Sequence, residues 1–181
     1  HNQFGGWIAH KSEIGLFDPL YYRIKQYGDY AAIIKYSSQE ITCRHPLDAT
    51  NFHGSQDYGL LGINAGVSGN GGGIRFSGST NIPRGLGIHG LSNYETDLPE
   101  NSKSLTIGLG MTQNAECSNG LLFKIYADSK LIYSNELKKN DIEFIELKLP
   151  PAKRLRLLTH PGNDNRCDHG AWLTPTIGTC K

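Results

Sequence analysis

The stretch Leu121-Leu122-Phe123-Lys124-Ile125-Tyr126-Ala127 decides the fold class, because buried-type side chains occupy every second position along it. A period of two residues is typical of a β-strand that buries one face. Asp128-Ser129-Lys130 then predicts a tight turn, and residues 131–133 predict the returning strand of a hairpin. The sequence therefore predicts an antiparallel hairpin in the second half of the chain.

Other short segments show the same pattern around this hairpin. Leucine or isoleucine recurs every second residue in 105–109, 145–149 and 155–157. In the first half, residues 30–36 and 73–76 predict strands. The glycine-rich stretch 66–73 predicts a flexible surface connection, because no Gly-Lys-Ser/Thr phosphate-binding sequence follows it. Several short strands separated by turns favour an all-β fold, as an antiparallel sandwich or barrel.

Length and charge narrow the class of protein. The chain has 181 residues, of which 38% are hydrophobic, and we expect a single domain over residues 1–181. The 18 basic residues nearly balance the 17 acidic ones, which makes nucleic acid an improbable partner. No apolar run approaches the roughly 20 residues that cross a bilayer, so we expect no membrane insertion. Twenty-two glycines and nine tyrosines are typical of loop-rich extracellular β domains.

The four cysteines indicate disulfide bonds. Cys43, Cys117, Cys167 and Cys180 are widely spaced and form no Cys-x-x-Cys pair, which disfavours a zinc site or a redox motif. Three pairings are possible, and the polar, Asn-rich loops around Cys117 and Cys167 favour joining these two and Cys43 with Cys180. Disulfides predict a secreted, extracellular protein, whereas four reduced thiols would indicate a cytosolic one.

The densest group of polar side chains lies in residues 163–172. Its candidate sugar-binding residues are Asp164, Arg166, Asp168, His169 and Trp172. Planar bifunctional groups bind neighbouring hydroxyls, and the indole of Trp172 offers an apolar face to a sugar ring. Two alternatives stay open, which are a core position for Trp172 and a turn-capping role for Asp168.

Three ordered segments resemble the NPCBM domains, the family-51 carbohydrate-binding modules. The segments are Pro83-Arg84-Gly85-Leu86-Gly87-Ile88-His89-Gly90, residues 123–134 and Asp168-His169-Gly170-Ala171-Trp172-Leu173-Thr174-Pro175. The resemblance is strongest over residues 74–177. Residues 1–72 match weakly, and we assign them to the same sandwich or to an N-terminal extension packed on it. The resemblance implies a galactose-binding-domain-like jelly roll that recognises terminal galactose-type sugars, including N-acetylgalactosamine.

The ends of a jelly roll gather its loops, so distant residues meet there. We expect four side chains to converge on one shallow site, namely His89, Arg166, Asp168 and His169. A buried, backbone-bonded His89 is the alternative. Arg84 and Arg166 together would favour galacturonic acid over the neutral sugar, because a guanidinium group matches a carboxylate with two parallel hydrogen bonds. Pairing of Arg166 with Asp164 would remove that preference.

The chain also departs from the family pattern. Gly110, Ala171 and Thr174 stand where the family pattern has acidic residues. Calcium prefers 6 to 8 oxygen ligands, usually with carboxylates among them, so a structural calcium ion is doubtful and no cofactor is expected to be required.

These observations predict a secreted lectin that binds galactose-type sugars without catalysis. As a homodimer or larger assembly it would gain avidity from several weak sites. A structural or protein-interaction domain is the main alternative. A glycoside-processing enzyme is a further alternative, because the chain has several acidic residues in loops. Such an enzyme requires a positioned carboxylate pair, and nothing in the sequence pairs these acids. These acids are Glu95, Asp97, Glu116, Asp164 and Asp168.

Overall fold

The computed structural model describes residues 6–77 and 81–180, and all structural statements concern these residues. Its strands are β1 (Gly6–His10), β2 (Tyr22–Tyr27), β3 (Tyr30–Lys35), β4 (Arg44–Pro46), β5 (His53–Gln56), β6 (Gly62–Ala65), β7 (Asn70–Arg75), β8 (Asn81–Ile82), β9 (Gly85–His89), β10 (Ser92–Asp97), β11 (Ser104–Met111), β12 (Leu121–Ala127), β13 (Lys130–Leu137), β14 (Ile142–Lys148), β15 (Arg154–His160) and β16 (His169–Gly178). Its helical segments are the 3-10 helices Lys11–Leu16 and Ala49–Asn51 and the short helix α1 (Ser38–Ile41). In the described ranges no helix combines the length and the apolar character that crossing a bilayer requires.

The strands form three layers. A five-stranded sheet, ordered β13-β12-β15-β10-β5, faces an eight-stranded sheet ordered β14-β11-β16-β9-β6-β7-β8, in which β4 also pairs with β16. A three-stranded sheet, ordered β1-β3-β2, covers the outer face of the larger sheet. The predicted all-β sandwich is confirmed, and so is the antiparallel β12–β13 hairpin. The exception to antiparallel pairing is the parallel contact between β6 and β7.

Strand β16 is buried on both of its faces. Trp172 and Ile177 point into the core between the two large sheets, where the apolar faces of β11, β12 and β15 meet them. Ala171 and Leu173 point the other way, into a second core under the three-stranded sheet. This double burial explains why nine of the ten residues of β16 are buried instead of every second one.

The first third of the chain contributes strands to all three layers. Strands β1 to β3 form the outer sheet, and Ile24 and Ile33 pack there against Phe144 and Leu173. Strands β4 to β7 instead join the sandwich itself. Residues 6–72 thus lie partly in the outer sheet and partly in the sandwich, while residues 1–5 lie outside the described ranges.

The glycine-rich stretch 66–73 differs from its prediction as a flexible connection. Its second half belongs to β7, which pairs in parallel with β6. Gly73 has a φ of 88°, which glycine adopts without steric cost. A side chain there would collide with Asn81, whose amide donates a hydrogen bond of 2.7 Å to the carbonyl of Gly72. These glycines therefore form part of an irregular strand, and the composition of the stretch alone did not indicate that strand.

The favoured disulfide pairing is confirmed. Cys43 is joined to Cys180, with 5.5 Å between their Cα atoms, and ties the segment before β4 to the end of β16. Cys117 is joined to Cys167, with 5.4 Å between their Cα atoms, and ties the β11–β12 loop to the β15–β16 loop. Such bonds persist in oxidising compartments.

We predict different consequences for removing the two disulfides. Replacing either pair with serines should lower the free energy of unfolding by about 2 to 5 kcal/mol, because each bond closes a long loop. The Cys43–Cys180 pair lies at the end of β16 away from His169, so its removal should leave sugar affinity unchanged, whereas removal of Cys117–Cys167 should weaken it. Denaturant titration and calorimetry of both double variants measure this, and equal effects on affinity would contradict it.

Candidate functional site

Two histidines meet at one end of the sandwich because of the register between β9 and β16. His89, the last residue of β9, lies directly opposite His169, the first residue of β16. Their ring centroids are 4.8 Å apart, and the rings meet nearly edge to face at 81°. The side chain of His89 is almost fully buried, whereas that of His169 is half-buried. The structure thus brings together two of the predicted residues that 80 sequence positions separate.

Asp57 organises the loops around these histidines. Its carboxylate accepts hydrogen bonds from Nδ1 of His89 at 2.9 Å, from the amide nitrogen of Leu91 at 3.0 Å and from the side chain of Asn165 at 3.0 Å. Burial alone would raise the pKa of Asp57, but these hydrogen bonds outweigh it and hold the pKa below its usual value. Because Asp57 engages Nδ1, Nε2 is the ring nitrogen of His89 that remains for a ligand.

Tyr58 supplies the aromatic surface at this site. Its side chain is 62% exposed, and its ring lies 5.1 Å from that of His89. Leu60 and Leu91 are also exposed. Sequence reasoning missed both Asp57 and Tyr58, because they follow β5 in the weakly matched part of the chain. The only local signal was a polar-aromatic pair between turn-forming residues.

Trp172 does not take the predicted role of a sugar-stacking residue. Its indole has no exposed surface and packs edge to face on Phe123, with 5.0 Å between ring centroids. The strand alternation that exposes His169 turns Trp172 into the sandwich core. The core alternative for this residue is therefore correct.

Asp168 supports the site from beneath it. The residue has no exposed surface, and its Oδ1 accepts a hydrogen bond from the hydroxyl of Ser118. Its backbone carbonyl accepts a 3.0 Å hydrogen bond from the amide of Gly90. Burial raises the pKa of Asp168, although the bond from Ser118 opposes that rise. The carboxylate is thus not presented at the surface as predicted but links two loops.

Arg166 and Asp164 lie exposed on the β15–β16 loop. The backbone amide of Arg166 donates to Oδ1 of Asp164 at 2.9 Å, which forms a local turn. Asp164 and Arg166 flank Asn165, whose side chain donates to Asp57 in the site.

Arg84 lies at the opposite end of β9. Five residue steps separate it from His89, which corresponds to roughly 16 Å along a strand. Its guanidinium group donates to the carbonyl of Pro175 at 3.2 Å and contacts Asp18 at 3.3 Å. The prediction that Arg84 and Arg166 border one pocket is therefore wrong, because the extended strand holds them apart.

The three positions where the family pattern has acidic residues offer no carboxylate to a calcium ion. Gly110, Ala171 and Thr174, the positions where carboxylates were expected, are all buried in β11 and β16. Within residues 6–77 and 81–180 no three His, Cys, Asp or Glu side chains are grouped so that they could hold a metal ion.

Two cavities open outside the histidine pair. One, of about 1080 Å³, is lined by residues of β2 and β14, and another, of about 300 Å³, opens on the five-stranded sheet. Neither is lined by His89 or His169.

The fold and this loop cluster define a jelly-roll module with a small polar and aromatic surface site. The model of the NPCBM/NEW2 domain matches residues 45–178, and the chain belongs to that family. The resemblance seen in the sequence is confirmed, and the matched range begins where β4 joins the sandwich. Carbohydrate-binding modules of this family are typically non-catalytic.

Three solved structures share the fold. The CBM51 of Clostridium perfringens GH95 in complex with methyl-galactose has a TM-score of 0.59 and 18% identity, covering 69% of this chain and 92% of that one. CBM51-2 with GlcNAc and INT domains from Clostridium perfringens ZmpB has a TM-score of 0.65 and 15% identity, covering 96% and 40%. The tandem CBM51 modules of Streptococcus pneumoniae Sp3GH98 have a TM-score of 0.64 and 14% identity, covering 84% and 54%. The chain thus spans about half or less of the two longer structures. No curated protein sequence matches it.

We predict that Gly90→Ala disrupts the site. Gly90 has a φ of 50°, and a Cβ atom there would press on the carboxylate of Asp57. Left-handed backbone costs roughly 1 to 2 kcal/mol for an alanine, and displacement of Asp57 adds to that cost. Gly162→Ala is the matched control, because Gly162 has a φ of 75° with nothing within 4 Å of its Cβ position. Calorimetry with methyl-galactoside should show lost binding for Gly90→Ala alone, and equal behaviour of the two variants would contradict the role of Asp57.

We also predict a pH dependence from His169. Burial and the charge of His89 lower the pKa of His169 below 6.5. As the pH falls from 6.5 to the folded pKa, the unfolded chain takes up a proton that the native state does not, so stability decreases. Chemical denaturation at several pH values should show that His169→Gln reduces this slope. The exposed His53 provides the control variant His53→Gln, whose slope should match that of the parent protein.

Proposed function

We propose that this chain is a non-catalytic carbohydrate-binding module and that it binds terminal galactose-type sugars at the His89–His169 site. The observation that carries the proposal is the position of an exposed tyrosine beside a histidine pair braced by a carboxylate. Sugar recognition needs an apolar surface for the C–H face of the ring and directed polar groups for its hydroxyls. Tyr58 supplies the surface, and His89, His169 and Asn165 supply polar groups.

The chemistry of galactose matches this set of groups. Its axial 4-hydroxyl leaves one face of the ring apolar, which suits contact with Tyr58. The neighbouring 3- and 4-hydroxyls are cis, and each can donate and accept a hydrogen bond. Nε2 of His89, the ring nitrogens of His169 and the amide of Asn165 supply the partners for these hydroxyls. One structurally similar module was solved in complex with methyl-galactose and another in complex with GlcNAc, which supports a sugar ligand.

The exposure of Arg166 on the β15–β16 loop favours neutral sugars over galacturonic acid as ligands. Arg84 lies at the far end of β9, so Arg166 is the one of the two predicted arginines left to meet a carboxylate. Exposed charge pairs contribute little. Galactose and N-acetylgalactosamine are therefore our first choices, and an acid preference depends on Arg166 alone.

Two further features support a binding module over an enzyme. Glu95 and Asp97 are paired with Arg154 on the five-stranded sheet, and Asp168 is enclosed beneath the site. Hydrolysis of a glycosidic bond requires two carboxyl groups that face one substrate. The carboxylate of Asp57, beside the histidines, is already engaged by hydrogen bonds from His89, Leu91 and Asn165.

A shallow site for one sugar binds weakly, and several copies presented together raise the avidity. We therefore propose a secreted module that acts as a homodimer or larger assembly. Its two disulfides support export to an oxidising compartment.

The test of the proposed function is Tyr58→Ala. Loss of a ring that stacks on the sugar should weaken the binding of methyl-galactoside about tenfold, which corresponds to roughly 1.4 kcal/mol. His89→Ala should abolish it. Tyr27→Ala is the matched control, because Tyr27 is 63% exposed, against 62% for Tyr58, but lies on the three-stranded sheet.

Calorimetry with methyl-galactoside and galacturonic acid measures these effects, and circular dichroism checks that each variant is folded. If Tyr58→Ala and Tyr27→Ala bind alike, the site is wrong. If the parent protein binds neither sugar and is not retained on galactose-bearing resin, a structural or protein-interaction role replaces the proposal.

A further inference from the structure

A second concave surface opens at the same end of the sandwich as the histidine pair. It has a volume of about 300 Å³ and lies on the outer face of the five-stranded sheet. We call it the Lys138 groove and define it by Leu122, Glu136, Lys138, His160 and Asn163. The strand register accounts for its shape, because Leu122 of β12 lies opposite both Glu136 of β13 and His160 of β15. Ligand pockets begin at about this volume.

The polar groups of the groove are arranged as donors next to acceptors. Nζ of Lys138 donates to the backbone carbonyl of Asn119 at 3.0 Å and also pairs with Glu136. An ammonium group and a carboxylate therefore stand side by side, and His160 and Asn163 add an imidazole and an amide. Half-buried Leu122 provides an apolar floor between them.

This arrangement suits a neutral sugar. Vicinal hydroxyls each donate and accept, so an adjacent donor and acceptor hold two of them at once. The charges of Lys138 and Glu136 compensate each other, which leaves no excess positive charge for a uronate or a sulfate. Both side chains are more than half exposed, so they are accessible to a ligand from solvent.

The groove and the histidine site share one wall. Asn163 lines the groove, and Asn165, two residues later, hydrogen-bonds to Asp57 in the histidine site. Two extended residues span at most about 7 Å, which is comparable to the length of one sugar unit. Below them, the hydroxyl of Ser118 accepts from the amide of Gly120 at the groove and donates to Asp168 under the site.

We propose that the Lys138 groove is a second subsite, which binds an inner, neutral hexose of the glycan whose terminal galactose occupies the histidine site. The ligand class is then a galactose-terminated oligosaccharide and not a free monosaccharide. This inference depends on the proposed function, because it takes the histidine site as the place of the terminal sugar.

The experiment compares methyl-β-galactoside with a galactose-terminated neutral tetrasaccharide, using the full chain and calorimetry. The parent protein should bind the tetrasaccharide at least tenfold more tightly. Lys138→Met, which keeps most of the side-chain length but removes the charge, should reduce that ratio to near one and leave the affinity for methyl-β-galactoside unchanged. Lys130→Met is the control, because Lys130 is also exposed but begins β13 at the far end of the same hairpin. It should preserve the ratio.

Amide chemical shifts identify which site is occupied. The amides of Gly120 and Gly162 should shift only with the tetrasaccharide, whereas those of Leu91 and His169 should shift with both ligands. Shifts confined to Leu91 and His169, or equal ratios in the parent and Lys138→Met proteins, overturn the groove and leave the proposed function standing. Shifts at neither pair of amides, or at the groove alone, overturn the proposed function and the second subsite with it.

Discussion

The double burial of β16 is the constraint on which the rest of the structure depends. One face carries Trp172 into the sandwich core and the other carries Leu173 into the core beneath the three-stranded sheet. Sliding the strand by one residue would exchange these faces and place an indole where the smaller Ala171 fits, so the register is strongly determined. His169 begins the same strand, and the register that buries Trp172 also sets His169 opposite His89. Core packing thereby positions the site.

At the loops the organising element is a single carboxylate. Asp57 accepts hydrogen bonds from a strand end, a backbone amide and a side chain of the β15–β16 loop. These contacts keep it ionised and hold three separate segments in one arrangement. Preorganised loops lose less conformational entropy when they bind. A surface of this kind suits recognition of the exposed end of a glycan, which needs orientation more than enclosure.

A disulfide bond also helps to hold the loops of the site in place. The bond between Cys117 and Cys167 joins the two loops that also meet through Ser118 and Asp168. Gly110, Ala171 and Thr174, where the family pattern has acidic residues, are buried within β11 and β16. A buried charge at these positions would be costly. We interpret the cross-link as the device that orders these loops. The groove beside Lys138 and the histidine site are both attached to this cross-linked region.

The sequence by itself determined the strand of residues 121–127, its hairpin and the all-β class, because a period of two residues is a local property of the chain. It also determined the family, through short motifs that retain their order. The site depended on pairing between distant segments. Trp172 and His169 belong to one motif, yet strand geometry sends one inward and leaves the other at the surface. Asp57 and Tyr58 carry no motif and became visible only when tertiary packing placed their loop beside His89, since a side chain acquires its chemical role from the neighbours that the fold brings to it.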